Sequence, residues 1–230
     1  MNIVANRMKK ALLLPFVVSP LLAALLFGSA GRIDLPWAWG AWGILFVNHL
    51  IGLVLFWRLR PELVEERVSP GEGIQSWDKT LLRLYILSVL IYLVFTGLDI
   101  GRIQWLGGIP VEIRPAGCIV LLASLSLVYW AMLTNQFFST VVRLQEDRGQ
   151  YVITTGPYRF VRHPGYLSVI GTWIGFSVMV GSWIALLSTA IPSAVMIVRT
   201  IREDRFLLEQ LTGYEEYCRK VRWRLMPYVW

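Results

Sequence analysis

The sequence has little charge, few cysteines and few histidines. Charged residues make up 16% of its 230 residues, and only 2 cysteines and 2 histidines are present. Cys118 lies in an apolar run and Cys218 in a polar tail, so no disulfide between them is predicted, and no spacing typical of a metal site occurs. The glycines form no GxGxxG pattern after a strand, which excludes a prediction of a Rossmann-type cofactor site.

Apolar residues are abundant instead. They make up 56% of the chain, which includes 11 tryptophans, whereas soluble domains contain roughly 45–50%. A spanning helix needs about 20 apolar residues. Six apolar runs are present: Ala11 to Gly28, Trp37 to Trp57, Leu81 to Leu98, Cys118 to Leu133, Leu167 to Val180 and Trp183 to Val198. We therefore predict an all-α integral membrane protein with five to six transmembrane helices, the number left open because the later runs are short.

The first run and the last two runs carry further signals. The first run follows Arg7, Lys9 and Lys10 and imitates a secretory signal peptide, but it is longer than the about 7–15 residues of such a segment and favours a first spanning helix. Gly181-Ser182 separates the last two runs and predicts a C-terminal helical hairpin. Leu207, Leu208 and Leu211 then predict an amphipathic helix at the membrane interface.

The basic residues set the predicted orientation. The net charge of +7 comes from lysines and arginines beside the apolar runs, so it indicates topology and no nucleic-acid partner. Six spans place both termini and three polar segments, 58–79, 143–162 and 199–224, in the cytosol. The prolines of the first segment predict an irregular loop, and its Glu65, Glu66 and Arg67 predict a solvated face. His49 is predicted to be structural.

The string GPYRFVRHPGY, residues 156–166, could form a binding site. Pro164 is predicted to begin a helix, because proline is tolerated in the first turn. The backbone N–H groups and the dipole at such a start favour an anionic group. The alternative is an ordinary helix start with interfacial aromatic residues.

Arg199 and Glu203 lie four residues apart beyond the hairpin, so they share one helix face. Glu203 could bind a cationic ligand, and Arg199 could hold an anionic one. The alternative is a surface ion pair that contributes less than about 1 kcal/mol.

Three strings carry a family resemblance: GPYRFVRHPGY, RTIRED at 199–204 and GYEEYCRKVRWRLMP at 213–227. Together they resemble the isoprenylcysteine carboxyl methyltransferases and their bacterial relatives and, more distantly, the phospholipid N-methyltransferases. The resemblance covers roughly residues 143–227. The loop with PELVEER and WDK, residues 61–79, is also similar to bacterial members.

The resemblance implies that S-adenosylmethionine binds in a cytosolic pocket. Its contacts would be Gln150, Tyr151, Val152, Ile153, Tyr158, His163, Pro164, Gly165, Tyr166 and Glu203. Arg199 takes the place of the family's substrate-binding arginine, here assigned as catalytic. Three departures concern this pocket: Arg143 stands where eukaryotic enzymes have glutamine, Gln150 replaces a histidine, and Asp204 replaces a second glutamate.

The predicted function is transfer of a methyl group to a lipophilic acceptor, most simply the carboxylate of an isoprenylcysteine-like or other isoprenoid compound, without a metal. A thiol or a phospholipid amine remains an alternative acceptor. A small transporter or channel and a non-catalytic membrane scaffold are the alternatives from other classes. We expect a single membrane domain, residues 1–230, in a bacterial inner membrane, with 143–227 as its cofactor-binding and catalytic region and membrane lipids as its partners. The oligomeric state is not predicted.

Overall fold

The computed structural model describes residues 2–230, with side chains described from Phe16 onward. Nine α-helices follow one another: α1 Asn2–Ala30, α2 Pro36–Leu59, α3 Pro61–Val68, α4 Ser76–Leu98, α5 Arg114–Thr134, α6 Pro164–Val180, α7 Trp183–Ser188, α8 Ala190–Gln210 and α9 Tyr214–Lys220. A π-helical turn, Asp99–Ile103, extends α4. Within residues 2–230 no strand forms, and the all-α prediction is confirmed.

Four helical segments are long and apolar enough to cross a bilayer: Pro36–Leu59, Ser76–Ile103, Arg114–Thr134 and Trp183–Gln210. Two shorter apolar helices, Phe16–Ala30 and Pro164–Val180, accompany them. The chain is therefore a multi-pass membrane protein, as predicted. The predicted first run begins at Ala11, after Arg7, Lys9 and Lys10. Residues 7–15 lie before Phe16 and so outside the described side chains.

Glycines bring the spanning helices close together. A Cβ at Gly117 of α5 would lie 2.4 Å from the backbone nitrogen of Met179, and one at Gly175 of α6 would lie 2.5 Å from that of Leu121. Gly97 of α4 similarly faces α1, where a Cβ would lie 2.3 Å from the carbonyl oxygen of Leu26. Small residues allow such backbone contact, which supplies packing energy where lipid removes the hydrophobic driving force.

The predicted hairpin turn is confirmed. Gly181 ends α6 with a φ of 84°, which glycine adopts without strain, and the Ser182 hydroxyl accepts a hydrogen bond from the Ala185 N–H at 2.8 Å. The run after the turn is not one straight helix, since α7 ends at Ser188 and α8 begins at Ala190. Pro192 lacks the N–H that would bond to the Ser188 carbonyl, which accounts for the interruption.

The predicted amphipathic helix at the leucines 207–211 is the C-terminal part of α8, which continues without a break to Gln210. Its Leu207, with Leu211, packs in a cluster with Tyr158 and Tyr214.

The prediction that the first polar segment, 58–79, is an irregular loop with a solvated acidic face is wrong in part. The segment contains the helix α3, which starts with proline at its first turn. Glu66 on this helix is 5% exposed instead of solvated. Its carboxylate binds Arg143, 77 positions later in the chain, and a single sequence does not reveal that pairing.

The three polar segments meet at one end of the bundle, as the charge pattern predicted. Their contacts include Glu66 with Arg143, Asp78 with Arg199, and Arg162 with Asp204. At the opposite end the buried Asp99 accepts a hydrogen bond from the Ser182 hydroxyl at 2.6 Å. We refer to these as the polar end and the opposite end.

Candidate functional site

A cleft at the polar end encloses about 860 Å³ of empty space, including its open mouth. All ten residues predicted to contact a cofactor line it: Gln150, Tyr151, Val152, Ile153, Tyr158, His163, Pro164, Gly165, Tyr166 and Glu203. Arg199 is not among the lining residues.

The motif 162–166 forms one edge of the cleft at the start of α6. Pro164 is the first residue of this helix, as predicted. The backbone N–H groups of Arg162 and His163 donate to the carbonyls of Trp223 and Arg224, each at 2.9 Å. A Cβ at Gly165 would lie 2.8 Å from the Phe138 ring, so the glycine allows this ring to close the wall. The C-terminal tail therefore fixes the motif in place.

Asp204 holds the motif to α8 and to the tail. Its two carboxylate oxygens accept hydrogen bonds from Arg162 Nε and Nη2, both at 2.9 Å, and from Arg224 Nε at 2.8 Å. The Tyr214 hydroxyl donates to the same carboxylate at 2.9 Å, and His163 Nε2 lies 3.2 Å from it. Asp204 is 6% exposed. With this many donors the carboxylate is structural, and it does not line the cleft.

Glu203, the next residue along α8, has a different environment. It faces the cleft and accepts a short hydrogen bond from the Tyr166 hydroxyl. The ring of His163 stacks on that of Tyr166, with centroids 5.7 Å apart and planes at 13°. Since Tyr166 is a neutral donor, the Glu203 carboxylate has no cationic partner at hydrogen-bond distance in the described part of the chain. This charge is available to a cationic ligand.

Arg199 lies behind Tyr166. Its guanidinium carbon is 5.2 Å from the centroid of that ring, and the residue is 5% exposed. Its Nε donates to Asp78 Oδ1 at 2.7 Å, and its Nη2 donates to Asp78 Oδ2 at 3.1 Å and to the Thr140 carbonyl at 2.7 Å. The predicted single helix face of Arg199 and Glu203 is present, because both residues contact Tyr166.

The segment before the motif forms the opposite wall. Arg143 lines the cleft while its guanidinium binds Glu66 at 2.8 and 2.9 Å, and its Nη1 donates to Asp147 at 2.7 Å. The side-chain oxygen of Gln150 accepts from the backbone of Gln145 at 2.7 Å. The Tyr151 ring remains 56% exposed at this wall. This wall of the cleft therefore combines polar side chains, Arg143 and Gln150, with the exposed aromatic ring of Tyr151.

Burial keeps the phenols of the cleft protonated. It raises the pKa of Tyr158 above its ordinary value, and the same effect raises the pKa of Tyr217. Burial and the neighbouring Asp204 carboxylate raise the pKa of Tyr214. The three hydroxyls therefore stay neutral near neutral pH: Tyr217 donates to the Tyr158 carbonyl at 2.6 Å, and the Tyr158 hydroxyl accepts from Asn135 Nδ2 at 3.2 Å. Burial also raises the pKa of the Cys218 thiol, which disfavours a nucleophilic thiolate.

Sequence reasoning missed two residues of this end, Asp78 and Glu66. Asp78 is fully buried in the first turn of α4, and its partner Arg199 lies 121 positions away. An acidic residue in a helix's first turn is ordinary, so no local signal identified it. The only pointer was the likeness of the 61–79 loop to bacterial proteins.

Comparison with known proteins agrees with these motifs. Residues 113–212 match the family model described as phospholipid methyltransferase. The chain is 31% identical over 86 residues to a probable protein-S-isoprenylcysteine O-methyltransferase of Oryza sativa, a match that covers 36% of this chain and 45% of the rice protein. It is 26% identical over 139 residues to the cobalt-zinc-cadmium resistance protein CzcN of Cupriavidus metallidurans, which covers 60% of this chain and 61% of that protein.

The chain thus spans less than two thirds of the length of each of these relatives. Through residues 113–212 it is similar to the phospholipid methyltransferase family and, over 86 residues, to a probable isoprenylcysteine O-methyltransferase, and the resemblance seen in the sequence is confirmed. Despite the name of the Cupriavidus relative, no group of three or more histidine, cysteine or acidic residues suited to a metal occurs among the described residues.

Proposed function

We propose that this protein is an S-adenosylmethionine-dependent methyltransferase that acts on a lipophilic acceptor, with the carboxylate of an isoprenylcysteine-like or other isoprenoid compound as the favoured group. The observation that supports it most is the convergence of ten predicted contacts, from three separate stretches of chain, on one cleft. Methyltransferase relatives over residues 113–212 support the reaction class.

The residues of the cleft fit the methyl donor. Glu203, whose hydrogen-bond partner Tyr166 is neutral, offers its carboxylate to a cationic ligand, and a charge-assisted hydrogen bond to it would be short and strong. Tyr151 and the buried Tyr158 offer aromatic surface, and Gln150 lies beside the polar wall. When bound, S-adenosylmethionine supplies an activated methyl group on a positively charged sulfur.

The protein's own contribution is then positioning. The hydrogen bond from Tyr166 fixes Glu203, and Arg199 lies across the other side of the same ring. Holding a donor and an acceptor in line can contribute about 7–11 kcal/mol in the most favourable intramolecular cases. No covalent attachment to the protein is needed, in agreement with the neutral Cys218 thiol.

We further propose that the polar end faces the cytosol of a bacterial inner membrane, since the basic residues cluster in its loops. The water-soluble donor would enter the cleft from the cytosol, and the lipophilic acceptor would enter from the bilayer between helices. Activity on a water-soluble acceptor without a lipid-like part would contradict this route.

Calorimetric binding of S-adenosylhomocysteine to the detergent-purified protein tests the proposal. We expect saturable binding with one site per chain, weakened at least tenfold by Glu203→Gln, which removes the charge and keeps the size. The matched control is Glu209→Gln, an exposed carboxylate on the same helix that is absent from the cleft, and its affinity should equal that of the wild type.

Folded wild-type protein that binds no S-adenosylhomocysteine would contradict the proposal and favour the scaffold or transporter. Equal losses in both variants would show that net charge, and not the position of Glu203, governs binding.

A further inference from the structure

Asp78 connects three elements at the polar end. It stands in the first turn of α4 with its side chain fully buried. One edge of the Arg199 guanidinium, Nε and Nη2, bonds to its two oxygens at 2.7 and 3.1 Å. The backbone N–H of Val142, a residue of the cleft wall, donates to Asp78 Oδ2 at 2.8 Å. Asp78 thus joins the predicted acceptor arginine to the wall of the cofactor cleft.

These contacts determine which part of Arg199 remains for a ligand. Nε is used by Asp78, and Nη2 is used by Asp78 and by the Thr140 carbonyl. Among the residues whose side chains the structure describes, Nη1 makes no hydrogen bond, and no buried polar side-chain atom lacks a partner. Nη1 therefore keeps some accessible surface, within a residue that is 5% exposed. Both paired edges of the guanidinium, which would grip a carboxylate with two parallel hydrogen bonds, are blocked.

We propose that Asp78 is a positioning residue that forces Arg199 to bind the acceptor carboxylate through Nη1 alone. This inference rests on the proposed function. A carboxylate held by a guanidinium fork has one lone pair of each oxygen engaged by a donor. One held by Nη1 alone keeps a second oxygen with both of its lone pairs free for attack.

The chemistry balances without a further reactant. The free carboxylate oxygen forms a bond to the methyl carbon with one of its lone pairs, while the bond between that carbon and the sulfonium sulfur breaks and its electron pair stays on sulfur. An ester and a neutral thioether result, and no proton is transferred. The negative charge of the acceptor and the positive charge of the sulfur cancel.

The charge of Asp78 supports the same role. Asp78 neutralises Arg199 locally, so the acceptor carboxylate is oriented by a neutral pair and not bound by an uncompensated cation. Tight binding of the ground state would lower KM without raising kcat, since only interactions stronger in the transition state accelerate the reaction. Asp78 therefore trades acceptor affinity for reactivity.

Steady-state kinetics with N-acetyl-S-farnesylcysteine as the acceptor probe test this role. Asp78→Asn frees much of the Nε–Nη2 edge, so we expect the acceptor KM to fall at least threefold and kcat to fall at least tenfold. Affinity for S-adenosylhomocysteine should stay within threefold, because Gln75 and Glu66 still hold the wall through Val142 and Arg143. A purely structural loss would not lower KM.

Two further variants connect the effect to Arg199. In an Arg199→Gln background, Asp78→Asn should change neither KM nor kcat by more than twofold, because no guanidinium remains to be released. Glu209→Gln removes an equal charge from an exposed carboxylate of α8 that does not line the cleft, and it should leave both constants unchanged. If Asp78→Asn does not fold, Asp78→Glu keeps the charge, displaces the carboxylate, and should shift both constants in the same directions.

An unchanged or higher KM in Asp78→Asn would overturn the role, as would an undiminished effect in the Arg199→Gln background or wild-type constants in Asp78→Glu. Failure of the underlying function is distinguishable. Wild type that binds no S-adenosylhomocysteine removes both proposals, whereas wild type that binds it and methylates a farnesyl thiol or amine but not the carboxylate removes only this one.

Discussion

The membrane-embedded half and the polar end of this bundle are held together by different contacts. Between α5 and α6, Gly117 and Gly175 let backbones touch. At the polar end, buried arginines meet buried carboxylates: Arg162 with Asp204, Arg143 with Glu66, and Arg199 with Asp78. Close van der Waals packing thus stabilises the spanning helices, whereas buried ion pairs stabilise the polar end.

Within the polar end, the neighbouring acids Glu203 and Asp204 differ in their surroundings. Glu203 and Asp204 are neighbours on α8, yet Asp204 is saturated by donors and Glu203 has one neutral partner. Adjacent residues point about 100° apart on a helix of 3.6 residues per turn, so one carboxylate turns to the tail and the other to the cleft. Asp204 is therefore the structural acid of the motif, and Glu203 is the acid that we propose binds the ligand.

The largest effect should come from Asp204→Asn. It leaves Arg162 and Arg224 without their carboxylate, and breaking a buried pair costs about 3–5 kcal/mol. Unfolding in mixed detergent and sodium dodecyl sulfate micelles, followed by circular dichroism, measures the loss. A change below about 0.5 kcal/mol would show that Asp204 is not the structural member of the pair.

A smaller effect is expected from Gly175→Ala. The new methyl group would lie 2.5 Å from the Leu121 backbone nitrogen, and overpacking typically costs about 1–3 kcal/mol. Gly43→Ala is the matched control, because a Cβ there meets nothing within 4 Å; it should be neutral or slightly stabilising. Equal losses in the two variants would show that the close contact at Gly175 is not the cause, since helix propensity favours Ala over Gly at both positions.

The smallest effect on stability should come from Glu203→Gln. Its partner Tyr166 is neutral and Arg199 keeps Asp78, so no buried charge is left alone, and we expect unfolding within about 0.5 kcal/mol of wild type. The same preparation should bind S-adenosylhomocysteine at least tenfold more weakly than the wild type. A loss of several kcal/mol would remove the distinction between Glu203 and Asp204.

The sequence predicted what depends on local pattern. Hydropathy identified the six apolar runs, glycine and serine the turn at 181–182, and proline the start of α6 at Pro164, because each feature depends on residues close in sequence. The cleft lining was predicted only through the family resemblance, since spacing alone does not show that Gln150 and Glu203 share a cavity. Glu66 and Asp78 were missed because their partners lie 77 and 121 positions away. Long-range ion pairs leave no periodic trace in one sequence.

The most direct test of the central claim is an experimental structure of the protein with S-adenosylhomocysteine. We predict ligand density in the cleft between residues 150–153 and 163–166, with the amino group of the ligand within hydrogen-bond distance of Glu203 and no contact to Asp204. Density at another place, or an empty cleft under saturating ligand, would contradict the assignment of this site.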